Sequence, residues 1–109
     1  MIIDFDKIAP EKQDNFRGGE KYATMRSYTD GENKMIRFTL IPGASIGLHT
    51  HEGNCEMIYI LKGSGRLLEN DTYTQITAGQ CAYCPDGGSH SLINSSDEDL
   101  EFFAVIAKQ

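Results

Sequence analysis

The apolar residues of this chain fall in short alternating runs, and that rhythm constrains its fold more than any other feature. No long stretch shows the i, i+3, i+4, i+7 spacing of an amphipathic helix. Met35 to Ile41 instead places Ile36, Phe38 and Leu40 on one face and Arg37 and Thr39 on the other. Glu56 to Lys62 sets Glu56, Ile58 and Ile60 against Met57, Tyr59 and Leu61. Leu100 to Ala107 is apolar almost throughout. Tyr22 to Tyr28, Arg66 to Glu69, Tyr73 to Ile76, Gln80 to Cys84 and His90 to Asn94 are further strand candidates. Turn residues punctuate them at Asp30-Gly31, Pro42-Gly43, Gly63-Ser64-Gly65, Asn70-Asp71, Ala78-Gly79, Asp86-Gly87-Gly88 and Asn94 to Asp97. Many short strands at near-regular spacing predict an all-β sandwich or barrel. Only the first dozen residues offer a helical turn.

The 109 residues suit one domain of ordinary size. No apolar run is long enough for a membrane-spanning helix, and Met1 to Lys12 shows no basic segment followed by an apolar core, so no signal peptide is expected. Sixteen acidic residues against ten basic ones give a net charge of -6, which argues against a nucleic-acid or anionic-membrane surface. Cys55, Cys81 and Cys84 are odd in number, which predicts a reduced, cytoplasmic protein rather than a disulfide scaffold. Cys81 and Cys84 form a single C-x-x-C without the second pair a zinc ribbon needs, so the three thiols read as small buried hydrophobes.

The three histidines carry the chemistry. His49 and His51, two residues apart in an extended segment, project from one face. A turn at Glu52-Gly53-Asn54 lets Glu56 return towards them, and His90 enters from a later strand. Three neutral imidazoles and one carboxylate suit a single divalent first-row ion, Mn, Fe, Ni or Zn, and are too rich in nitrogen for Ca or Mg. With all three histidines spent as ligands, the other reactive side chains considered near the site are Tyr59, Tyr83, Cys55, Glu52 and Arg66. Cys55 and Tyr59 have the parity opposite to Glu56 and are expected to point away from the interior. Phe38, Ile58, Ile60, Leu92 and Phe102 are expected to line the interior or form its core.

The surrounding spacing is more specific than the ligands alone. Gly43, His49, His51, Glu56 and Gly63 are separated by five, one, four and six residues. Gly79, Pro85, Gly87, His90 and Asn94 are separated by five, one, two and three. In both segments the chain resembles the two signature motifs of the cupin superfamily, over roughly half its length. The resemblance implies a double-stranded β-helix, or jelly-roll, barrel spanning residues 1–109, with residues 43–94 as the metal-binding core. It implies metal ligation by His49, His51, Glu56 and His90. It also implies a small-molecule ligand in the barrel and a homodimer, with residues 1–20 as an arm suited to contacts between subunits. Two classes of function stay open. One is a metal-dependent enzyme acting on a small organic acid, carbonyl or sugar, by dioxygenase, isomerase or decarboxylase-like chemistry. The other is a non-catalytic binding or sensor module.

Overall fold

A computed structural model describes residues 1–109. Ten strands form two antiparallel sheets. They are β1 Glu11–Asp14, β2 Tyr22–Thr29, β3 Lys34–Leu40, β4 Ser45–Thr50, β5 Asn54–Lys62, β6 Ser64–Glu69, β7 Thr72–Thr77, β8 Cys81–Cys84, β9 Ser89–Ile93 and β10 Leu100–Lys108. One sheet runs β1-β2-β3-β10-β5-β8 and the other β4-β9-β6-β7. Chain neighbours such as β3 and β4, β4 and β5, and β5 and β6 lie in different sheets, which is the crossing pattern of a jelly roll. The all-β expectation therefore holds, and the early helical turn is a short 3-10 segment at Phe5–Lys7.

Alternation sets which side chains meet between the sheets. Ile36, Phe38 and Leu40 of β3, Ile58 and Ile60 of β5, and Leu100, Phe102 and Ala104 of β10 are buried in one core. The four-stranded sheet contributes Ile46, Leu67, Ile76 and Leu92. Phe38 and Phe102 stack at the centre with ring centroids 4.8 Å apart. At about 25 cal/mol per Å2 of apolar surface removed from water, burial of such side chains is the main force holding the sheets together.

β10 is apolar on both faces because both are covered. Phe103 lies on the outer side and meets Phe5 edge-on at 5.2 Å. Arg26 fixes the same arm by donating to the carbonyls of Phe5, Asp6 and Ile8. Phe5 to Ile8 and β1 thus lie against their own barrel, through these contacts and through the pairing of β1 with β2, while Met1 and Ile2 stay exposed.

The structure adds two strands to those read from periodicity. β1 is wholly exposed and polar, so it has no hydrophobic pattern to reveal it. β4 is interrupted by Gly47 and by Leu48, which points to solvent. The turn expected at Gly63-Ser64-Gly65 is tighter than its sequence suggests: only Gly63, at φ +91°, breaks the strands, and Ser64 and Gly65 already belong to β6. The cysteines also need correcting. Cys55 and Cys84 are buried, but Cys81 is exposed. Cys81 and Cys84 lie on opposite faces of β8, so the C-x-x-C does not act as a pair.

Candidate metal centre

His49 owes its direction to a bulge. Ile46 pairs with Leu92 and His49 with His90, so three steps along β4 match two along β9. The extra residue reverses the parity of the strand and lets Ile46 and His49 both face inward. His51 follows just beyond β4, and its backbone is held by the loop after β8: the His51 amide donates to the Gly88 carbonyl and the His51 carbonyl accepts from the Gly87 amide. Asp86 of that loop accepts from the Gly53 amide at 2.8 Å, closing the turn that leads into β5. β5 then brings Glu56 inward, on the opposite sheet from His49 and His90, beside Cys84 and Ile106. The site therefore spans the gap between the sheets.

The four expected ligand residues meet there, with one donor atom from each lying within 4.8 Å of every other. Glu56 Oε1 is 2.8 Å from His90 Nε2, 3.1 Å from His51 Nε2 and 3.9 Å from His49 Nε2. His51 Nε2 and His90 Nε2 are 3.0 Å apart. Ligand bonds of about 2.0–2.2 Å to a transition ion put neighbouring donors about 3 Å apart and opposed ones about 4 Å apart, the range found here.

The outer hydrogen bonds define what the inner atoms offer. His51 Nδ1 donates to Asn54 Oδ1 at 2.6 Å, and His49 Nδ1 donates to the Gly47 carbonyl at 2.8 Å. Each neutral ring then turns an unprotonated Nε2 inward, the tautomer a metal requires. Two lone-pair nitrogens and an ionised carboxylate facing one another call for a cation between them. Burial acts to raise the Glu56 pKa; in the metal-free chain, hydrogen bonds from His49 and His90 and positive charge on His90 and His51, which need rings carrying an inner proton that a bound metal would replace, more than cancel it and hold the carboxyl at about 2. The donor set fits one divalent transition ion. Cys84 lies nearby but is a poor competitor: burial, then the Glu56 charge, push its thiol pKa up, so it stays protonated.

A narrow cavity opens beside these residues. Its walls include His49, Glu56 and His90 with Ile36, Phe38, Ile46, Ile58, Leu92 and Ile106. The space open to water centres is about 20 Å3, room for one or two waters at about 10–15 Å3 each. Ile60 and Phe102 belong to the packed core instead. The other reactive side chains considered from sequence do not line this cavity. Tyr59, Tyr83 and Glu52 are exposed, Cys55 points away from the interior as expected, and the Arg66 guanidinium lies over the Tyr73 ring at 4.7 Å. Sequence reasoning did not name Ile36, Ile46 or Ile106 as cavity wall, and it passed over Phe16 and Arg17 altogether. These last two come from a 3-10 turn, Phe16–Gly18, in the arm. Only the adjoining Gly18-Gly19 hinted at a close approach there.

Comparison with known proteins agrees with the fold. Residues 36–106 match the family model described as a cupin domain. An oxalate-binding protein of Thermotoga maritima is 40% identical over 112 residues, which cover 97% of this chain and 93% of that protein. A crystal structure of a predicted oxalate decarboxylase from Thermotoga maritima superposes with a TM-score of 0.94 at 36% identity, covering 100% of both chains. A sugar phosphate isomerase from Silicibacter pomeroyi shares the fold, with a TM-score of 0.83 at 20% identity over 100% of this chain and 76% of that one.

Proposed function

The chain belongs to the cupin-domain family, and from that premise we propose that it is a metal-dependent binding protein for a small organic acid, with a dicarboxylate of the oxalate type as its ligand. The convergence of His49, His51, Glu56 and His90 on one point carries the proposal. When bound, a divalent ion supplies Lewis acidity and open positions for carboxylate oxygens. The chain's part is to hold that ion with imidazoles whose tautomers are set from outside, and to keep the surrounding walls apolar. The small cavity favours a compact ligand over a bulky one. The 40% identity to a protein named for oxalate binding supports the same ligand class.

The enzyme class has specific support in the likeness to a predicted oxalate decarboxylase. Conversion of oxalate to formate and carbon dioxide adds one proton at carbon. The cavity wall holds no tyrosine, lysine, cysteine or second carboxyl group to deliver it. This favours binding over turnover. The discriminating experiment loads the purified protein with Mn2+ and adds oxalate. Calorimetry is expected to show saturable binding, while formate, carbon dioxide and oxygen uptake stay at background. Formation of formate at a rate that depends on His49 and His51 would make the protein an enzyme instead.

A further inference from the structure

We propose that Arg17 is the specificity residue of this site, taking the outer carboxylate of a dianionic ligand whose inner end is held at the four-ligand centre. The inference rests on the functional reading above and deepens it. Arg17 contributes the one basic side chain of the cavity wall that is not among the four ligands. It forms no salt bridge, although the chain carries six more acidic than basic residues. The Arg17 guanidinium stands over the ring of Phe16, itself a wall residue, at 5.8 Å, whereas Arg26 donates to three carbonyls, Arg37 pairs with Asp6 and Glu101, and Arg66 lies closer over Tyr73 at 4.7 Å. An exposed arginine beside a small cavity, with an aromatic neighbour but no anionic partner, is free to offer its two-pronged fork to a carboxylate.

The backbone that presents Arg17 is built for position. Its φ is +56°, in the left-handed region that costs a side-chain-bearing residue energy and needs support from its surroundings. That support comes from β4, the strand that bears His49. The Glu20 amide donates to Ser45 Oγ at 2.8 Å, and the Ser45 amide donates to the Glu20 carbonyl at 3.0 Å. The Gly18 amide donates to the Asn15 carbonyl, and Asn15 Nδ2 donates to the Gly19 carbonyl at 3.1 Å. Gly47, in the bulge, lies directly against the Arg17 carbonyl. One bulge therefore turns His49 inward and seats the turn that carries Arg17.

Charge balance points to a dianion. A divalent ion with three neutral imidazoles and one carboxylate carries +1, and Arg17 adds a second positive charge. A ligand with one carboxylate satisfies the first alone, whereas a dicarboxylate satisfies both. The small size of the cavity favours a short dicarboxylate over a long one.

The test uses Mn2+-loaded protein and three probes: oxalate, malonate and acetate. Calorimetry on the native chain, Arg17→Gln and Arg17→Lys measures each affinity, and a separate Mn2+ titration of the metal-free proteins measures the metal. Loss of a charge-assisted pair predicts about 10- to 100-fold weaker oxalate binding in Arg17→Gln. Acetate and Mn2+ affinities are expected to stay within about twofold, and Arg17→Lys to recover part of the loss because it keeps the charge without the fork. Unchanged oxalate affinity in Arg17→Gln overturns the role of Arg17 while leaving the functional reading intact. Absence of oxalate binding by the native loaded protein overturns both.

Discussion

Among single residues, Asn54 tests how the ligands are oriented. Its Oδ1 accepts from His51 Nδ1, so Asn54→Ala frees the ring to rotate and to change tautomer. Metal affinity is expected to fall about 10- to 100-fold by titration, and Asn54→Asp, which keeps an acceptor, to restore most of it. Glu56 makes a separate prediction about pH. In the metal-free protein its carboxyl sits at about 2 against an ordinary 4.5. A depressed carboxyl contributes stability that is present in full above pH 4.5 and is lost as pH falls towards 2. The stability gap between the native chain and Glu56→Gln, measured by urea unfolding of the metal-free proteins, should shrink as pH falls from 4.5 towards 2. The four ligand positions were legible in the sequence because their chemistry depends on residue type and short spacing. Arg17 was not. It lies 32 residues before His49 and reaches the cavity only through tertiary packing of the arm, which leaves no periodic signal.

β4 is the element on which the site depends, and it shows where sequence reasoning stops. Its bulge between Ile46 and His49 appears only when the strand is paired with β9, since a register shift belongs to two strands rather than one. The i, i+2 spacing of His49 and His51 correctly placed them together, but the inward direction of His49 depends on that shift. A methyl group on Gly47 would overlap the Arg17 carbonyl, and the neighbours there are backbone atoms that cannot step aside. Gly47→Ala is therefore expected to cost about 1–3 kcal/mol in urea unfolding. Leu48→Ala, next along the strand but with a side chain in solvent, should remain within about 0.5 kcal/mol of the native chain. The longer strands β3, β5 and β10 were readable because each keeps strict alternation with one buried face. β1 was not readable, because its four residues are all polar and exposed and only its pairing with β2 makes it a strand.

On the scale of the molecule, the two sheets close over one core and leave the four ligands and the small cavity between them. We propose that the chain forms a homodimer through the β8 edge of the larger sheet, rather than through the 1–20 arm, whose β1 forms the other edge. β8 ends that sheet, and Tyr59, Leu61 and Tyr83 expose apolar surface beside it. An open edge flanked by aromatic side chains is commonly covered by a second copy. Light scattering should report twice the chain mass of 12.1 kDa, and Tyr83→Lys should shift it towards one chain. Every functional proposal made for this barrel depends on its four donors holding a cation. Elemental analysis of the purified protein, after dialysis against a trace mixture of Mn, Fe, Ni and Zn, measures this directly. One transition ion per chain, lost when His49 and His51 are both changed to alanine, is the predicted result. A folded native protein without bound metal, or a double variant that still holds one ion per chain, would contradict it.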